Sequence, residues 1–358
     1  MNRMLRAVSS AAITLGTLVG VATAHAETLR VSLFTPPSHV FNQALAAWGE
    51  ELKAKSGGEL TLEFFPAGQL APPPRQYDLL RSGGADITVL LQSATPGRFP
   101  MSELPGLPLK QPSAGNSAEI MSRRYTELAP EYLASEYEGE KILWMAVSPQ
   151  LHTFLAKTEP LGLEAFKGLR IRYAGAISQK IVEAFGATPV PVPPAETADA
   201  MGKGVVDGTM FTYEGLQSFD VGPVTKYATE PGLSSQTFTF LMSRAAYDRL
   251  SPEVQKLVDD SIGPDRAAWF GALMDKAEEK GRQYVIDGGA KITTLPEAEQ
   301  AKLADNLSAV IDGMVAAVTD LSAELDLGPN TRVGVGVAGL VDHRGVLRHG
   351  PNQPGVRE

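Results

Sequence analysis

The sequence predicts an α/β protein of two lobes that face each other across a cleft. Three observations carry that expectation. Strand-like and helix-like segments alternate in two separate runs, one from Leu29 to Leu91 and another from about Lys141 onward. The 358 residues suffice for about two cored domains. No flexible linker separates the runs and no internal repeat is evident, which suits lobes joined around a cleft better than beads on a string.

The first run opens with an extended segment, Leu29 to Leu33. Phe41, Leu45, Trp48 and Leu52 then recur at helical spacing on one face, and Gly57-Gly58 stops that helix. Leu60 to Phe65 reads as a second strand. Pro72 to Leu80 reads as a helix entered through proline, whose fixed φ suits a first turn. Asp86 to Leu91 is nearly all apolar, the pattern of a strand covered on both faces in a parallel sheet.

In the second run, Ile142 to Val147, His152 to Ala156 and Leu169 to Tyr173 read as strands. A helix around Ile177 to Phe185, a strand at Thr188 to Val192 and a helix at Ala195 to Lys203 continue the alternation. Thr237 to Ser243 is another strand. Ser251-Pro252 then starts a helix, serine as cap and proline in the first turn, and Gly263-Pro264 breaks or kinks it before Asp287. Leu303, Leu307, Val310, Met314 and Val318 mark a last amphipathic helix.

Composition removes several function classes. The formal net charge is −9, from 41 acidic and 32 basic side chains, so the chain lacks the basic excess that binds nucleic acid. Zero cysteine excludes disulfides, thiolate zinc sites, iron–sulfur clusters and a cysteine nucleophile. Residues 1–26 have the form of a secretory signal: Arg3 and Arg6 first, then an apolar run from Ala11 to Ala24, then the small residues of Ala24-His25-Ala26. The run is about 14 residues, short of the roughly 20 that span a bilayer as a helix. A mature, periplasmic chain starting at Glu27, with no stable membrane insertion, is the expectation.

A search for catalytic machinery returns nothing positive. Of five histidines, His25 leaves with the signal and His343 and His349 lie in the tail, so the body holds only His39 and His152, far apart in sequence. No HExxH, G-x-S-x-G or phosphate-binding P-loop pattern occurs. Gly334, Gly336 and Gly339 form one G-x-G-x-x-G match, but too little chain follows for the remainder of a dinucleotide-binding unit. No cofactor is implied.

Arg172 is the residue that points to a ligand. Along Lys167–Tyr173, alternation puts Leu169, Ile171 and Tyr173 on one face and Arg170 and Arg172 on the other. The arginines lie near the strand's C-terminal end, where open α/β sheets bind ligands. The order of "FFPAGQL", "LLRSGGADI", "FKGLRIRYAG", "FGATPVPVPPAETADAMGKGVVDG" and "TFTFLMSRAAYDRLSPEVQKLV" resembles the substrate-binding proteins of TRAP (tripartite ATP-independent periplasmic) transporters over about residues 29–325.

That resemblance implies two α/β lobes linked by long helices around a ligand cleft. It implies lobe 1 from residues 27–150 plus 236–275, and lobe 2 from 151–235 plus 276–327. It further implies a small organic acid as ligand, gripped at its carboxylate by Arg172, and delivery to the membrane permease subunits of the transporter. A guanidinium suits the task, since it offers two parallel N–H donors to a carboxylate. The resemblance also points to Phe34 or Thr35 and to Gln92 as cleft residues, and to Phe238 as a further wall.

Departures from the family pattern narrow the ligand. Many sialic-acid and C4-dicarboxylate members carry a second arginine where this chain has Gln150-Leu151-His152-Thr153-Phe154, and an asparagine where Phe211 follows the Asp207-Gly208 turn. A monocarboxylate with an apolar or aromatic body, or a small 2-oxo or hydroxy acid, then fits better than sialic acid. Met210, Phe211 and Tyr213 join the candidate site, with core filling as the alternative for Met210 and Phe211. His152 is a candidate donor to the ligand, with a solvent-facing role as its alternative.

From Gly328 the resemblance stops. "RVGVGVAGLVDHRGVLRHGPNQPGVRE" is similar to a fragment of ROK-type sugar kinases without their phosphate loops or catalytic acid, and a merely Gly-rich terminus fits nearly as well. Two competing functions stay open at this point: a module that presents ligand to a receptor, and an exported α/β enzyme acting on organic acids.

Overall fold

The computed structural model describes residues 26–108, 117–324, 339–341 and 347–349. The signal-like residues 1–25 and most of the tail lie outside the described residues.

The first run gives β1 (Glu27–Ser32), α1 (Val40–Lys55), β2 (Leu60–Phe65), α2 (Gln76–Arg81), β3 (Ile87–Leu91), α3 (Ala118–Leu128) and β4 (Glu140–Val147). The chain then crosses to a second body with β5 (Leu151–Leu155), β6 (Arg170–Tyr173), α4 (Gly175–Ala184), β7 (Thr188–Pro191), α5 (Thr197–Gly202), β8 (Gly208–Phe211), α6 (Tyr213–Ser218) and β9 (Tyr227–Ser234). It returns through β10 (Thr237–Ser243), α7 (Arg244–Asp248), α8 (Pro252–Asp260) and the long α9 (Pro264–Asp287). After β11 (Lys291–Thr294) comes α10 (Glu297–Glu324), and in the tail β12 (Gly339–Val341) pairs antiparallel with β13 (Leu347–His349).

Two sheets organise the two lobes. The first has strand order β2-β1-β3-β10-β4 and the second β11-β9-β5-β8-β6-β7. β3 is parallel to β1 but antiparallel to β10, so the sheet is mixed where its apolar run suggests a parallel one. An apolar run reports that both faces are covered; it carries no information about the neighbour's direction.

Local chemistry explains the element boundaries. A 3-10 turn over Pro73–Arg75 precedes α2, because a residue followed by proline is pushed away from the α region and Pro72, Pro73 and Pro74 are consecutive. Ser251 caps α8, its hydroxyl accepting the Val254 N–H at 3.3 Å. Gly263 at φ 91° separates α8 from α9.

The first lobe's core centres on Trp48 and Trp144, both fully buried with ring centroids 5.4 Å apart; Trp48 Nε1 donates to Ser261 Oγ at 2.9 Å. Leu303 and Leu307 of α10 are buried, and Val310 packs on the same core as α4. The side chains of Met314 and Val318 lie outside the described residues. Two crossings between the sheets run side by side: Ser148 N donates to the Gln236 carbonyl at 2.8 Å, and Gln236 N donates to Ser148 Oγ at 2.9 Å.

Candidate functional site

The strand ends of the second sheet set up the site. β6 lies between β7 and β8, parallel to both, with Arg172 in register with Val190 and Thr209. Arg172 thus stands near the carboxyl ends of three parallel strands, facing the cleft. Arg170 is elsewhere: it is exposed at the start of β6, and its Nη2 pairs with Asp207 Oδ1 at 3.0 Å. Alternation grouped the two arginines, but their two-residue offset along the strand separates a surface ion pair from a buried charge.

Arg172 is only 1% exposed. Nε donates to the Val192 carbonyl at 3.0 Å and Nη1 to the Met210 carbonyl at 3.3 Å, and the guanidinium lies 4.4 Å over the Phe211 ring. It pairs with no aspartate or glutamate among the described residues. Burial pushes its pKa down to about 9. The group stays charged at neutral pH, and a buried charge without an acid partner is costly. Two carbonyl bonds and a ring face fix its orientation while further N–H donors remain for an anion.

A cavity opens beside it, between the lobes. Phe34, Val40, Phe41, Leu91, Phe219, Phe238 and Met274 supply apolar wall; Ser148, Thr212 and Gln236 supply neutral polar groups. The aromatic rings are in mutual contact, with Phe211 stacked on Phe219 at 5.6 Å and Phe41 edge-on to Phe238 at 4.7 Å. Such a chamber, apolar with a few fixed polar groups, suits a small molecule with one charged end.

A second ionisable pair lines the same cavity. His39 Nδ1 accepts the Phe41 N–H at 3.2 Å, which assigns its proton to Nε2, and Nε2 stands 3.2 Å from Glu214 Oε2. Glu214 Oε1 accepts the Val40 N–H at 3.1 Å and the Ser218 hydroxyl at 2.6 Å. Burial holds the His39 pKa below its usual value, with Glu214 pulling the other way. The imidazole is therefore neutral at neutral pH. This pair joins the start of α1 in the first lobe to α6 in the second.

Of the residues singled out from sequence, Arg172, Phe34, Met210, Phe211 and Phe238 line this cavity together. The other four stand outside its lining. Thr35 is buried, and its hydroxyl donates to Asn42 Oδ1 at 2.5 Å. Gln92 is buried among Tyr137 and Thr239, donating to the Tyr137 hydroxyl at 3.0 Å. Tyr213 is buried, and its hydroxyl donates to Glu230 at 2.9 Å. His152 lines a second hollow, and its Nδ1 donates to the Thr229 carbonyl at 3.2 Å.

His39, Glu214, Phe219 and Gln236 line the cavity without having been marked by any motif. His39 was visible as one of two body histidines, but its partner is 175 positions away and no spacing rule links them. Among the described residues no group of side chains is placed to hold a metal ion, and no helix is long and apolar enough to cross a membrane.

The chain is similar to known proteins over most of its length. The family model for bacterial extracellular solute-binding protein, family 7 (DctP), matches residues 31–317. A marine-metagenome TRAP solute-binding protein specific for aromatic acid ligands, solved with metahydroxyphenylacetate, is 30% identical with a TM-score of 0.76, covering 83% of this chain and 93% of its own. A TRAP solute-binding protein of Rhodoferax ferrireducens, solved with copurified benzoate, is 26% identical with a TM-score of 0.76, covering 84% of this chain and 92% of its own. A solute-binding protein of Roseobacter denitrificans is 21% identical, covering 80% of this chain and 90% of its own length.

Proposed function

Because the chain belongs to family 7 of the bacterial extracellular solute-binding proteins, the DctP family, we propose that it captures a monocarboxylate with an apolar or aromatic body in the periplasm and delivers it to a TRAP membrane permease. The single observation that carries this reading is the guanidinium of Arg172, buried between the lobes beside an apolar cavity and paired with no acid among the described residues. A ligand carboxylate placed there would meet parallel N–H donors in a water-poor site, where a charge-assisted bond is strong. Phe211, packed against both the guanidinium and Phe219, makes the cavity wall beside Arg172 aromatic, which suits the body of such an acid.

The family and its solved relatives are solute-binding receptors rather than enzymes, and relatives solved with aromatic acids support the choice of ligand class. Export rests on the signal-like residues 1–26, and the strand pairing of Glu27 with Leu60 gives a mature chain beginning there an anchored first residue. We assign residues 27–150 and 236–275 to lobe 1 and 151–235 and 276–327 to lobe 2. The tail's likeness to ROK-type kinases stays a reading of its sequence.

Thermal denaturation of the mature chain tests the ligand class. Benzoate, 3-hydroxybenzoate and mandelate at saturating concentration are expected to raise the midpoint by several degrees, since a ligand that binds the native state stabilises it by RT ln(1 + [L]/Kd). Benzamide, the same shape without the charge, is expected to leave it unchanged. A benzamide shift equal to that of benzoate, or no shift with any of the acids, overturns the reading.

A further inference from the structure

The cavity beside Arg172 is lined by two buried charged side chains of opposite sign, and Arg172 and Glu214 differ in how they are compensated. The arginine has carbonyl partners and no acid among the described residues. The glutamate is 8% exposed and held by three donors: the imidazole Nε2–H of His39, the backbone N–H of Val40 and the hydroxyl of Ser218. All three donate into the carboxylate, so every contact suits the ionised, acceptor-only form. None of them neutralises it. His39 spends its Nδ1 lone pair on the Phe41 N–H, its burial disfavours the imidazolium, and Glu214 forms no ion pair with a lysine or arginine among the described residues.

We infer that Glu214 is a specificity-determining residue that restricts the cavity to ligands carrying one negative charge and rejects dicarboxylates. The inference rests on the reading that Arg172 holds the ligand's carboxylate, and it adds a rule for the rest of the ligand. Once that carboxylate has neutralised Arg172, the charge left on the cavity wall is the fixed anion of Glu214. A second carboxylate would be brought into the same apolar chamber, where repulsion between like charges is far stronger than in water. Glu214 cannot swing away to relieve it, because its donors come from both lobes: Val40 and His39 from the start of α1, and Ser218 from α6. A neutral substituent of the same size meets no such penalty.

Isophthalate and 3-carbamoylbenzoate share one ring and one substitution geometry, and at one end they differ only in charge. Calorimetric titration of the intact wild-type protein is expected to show the monoamide binding tighter than the dicarboxylate by at least about tenfold. Glu214→Gln keeps the shape and removes the charge, and is expected to shrink that ratio to below about threefold. The wild-type comparison stands by itself should the variant fold poorly. Equal behaviour of the two compounds toward wild type, whether both bind or neither does, overturns the rule. So does a ratio in folded Glu214→Gln that stays at the wild-type value. The carboxylate reading of Arg172 fails on a different result, benzamide binding as tightly as benzoate.

Discussion

Asp275 and Glu278 stand on one face of α9, and each carboxylate takes up the first two backbone N–H groups of a different helix. Asp275 accepts from Ala118 at 2.8 Å and Glu119 at 3.1 Å, the start of α3. Glu278 accepts from Tyr213 and Glu214, both at 2.9 Å, the start of α6. These are donors that a helix cannot satisfy internally, and negative charge is favoured at that end of the dipole. Two glycines on the same face make the approach possible. A Cβ on Gly271 would stand 2.3 Å from the Ala118 carbonyl oxygen, and one on Gly281 2.4 Å from that of Tyr213. Since α3 precedes β4 of the first sheet and α6 follows β8 of the second, α9 fastens helix starts from both lobes, and α6 carries Glu214.

The Glu278 clasp gives stability a pH dependence of known sign. Burial, reinforced by Glu214 and Asp275, pushes its pKa from 4.5 to about 8, against the lowering effect of its two backbone donors. Across that window the folded chain holds a proton that the unfolded chain has released, so this group makes stability fall as pH rises. Glu278→Gln resembles the protonated acid at every pH. Its melting midpoint relative to wild type is expected to rise by on the order of a few degrees between about pH 5 and pH 8.5. A difference that stays constant with pH, or falls, contradicts the assignment.

The tail offers a simpler test. The family match ends at residue 317, and the described tail strands β12 and β13 pair with each other. Truncation after Leu327 is expected to keep the melting midpoint within a few degrees of the full chain and benzoate affinity within about twofold. A larger drop measured by scanning calorimetry would mean that the tail packs on the body.

Elements with a strong local signal were legible in the sequence, and their bounds follow it. Leu60–Phe65 and Thr237–Ser243 are strands over the residues their patterns mark. β9 escaped because Pro231 and Gly232 sit inside it and read as a loop; β8 escaped because four buried residues carry no alternation. For the site, strand position and family likeness marked Arg172, but its burial depends on the neighbouring β7 and β8 and on contacts with Val192, Met210 and Phe211. The His39–Glu214 contact is formed only when two lobes meet, so no periodicity announces it. Thr35, Gln92 and Tyr213 show the reverse: suggested by likeness to a cleft, they turn the Thr35 hydroxyl, the Gln92 amide nitrogen and the Tyr213 hydroxyl to protein partners.

Phe211 is expected to select for ring-bearing acids. It supports the guanidinium at 4.4 Å and stacks on Phe219 at 5.6 Å. Phe211→Asn removes both contacts and adds a polar group to the cavity wall. Benzoate affinity is expected to fall by about 1–2 kcal/mol, as aromatic and cation–π contacts of this kind are lost. Lactate, with no ring to stack, is expected to lose less, so the benzoate-to-lactate ratio falls. Titration of both acids against both proteins measures it, and an unchanged ratio removes Phe211 from specificity.

Arg172 carries the heaviest expectation. Arg172→Ala is expected to weaken benzoate binding by about 2–5 kcal/mol, the cost of removing one partner from a desolvated charge pair. Arg172→Lys is expected to recover part of that loss, because an ammonium supplies the charge without the planar fork. Stability without ligand behaves differently. The alanine variant loses two bonds to the Val192 and Met210 carbonyls, but it also loses a buried charge that no acid among the described residues compensates. These effects oppose each other, so its ligand-free midpoint is expected within a few degrees of wild type. A variant that melts normally and binds benzoate with wild-type affinity would place the carboxylate elsewhere. A collapse of the ligand-free midpoint would instead make Arg172 a structural cation, held by its carbonyls for the sake of the fold.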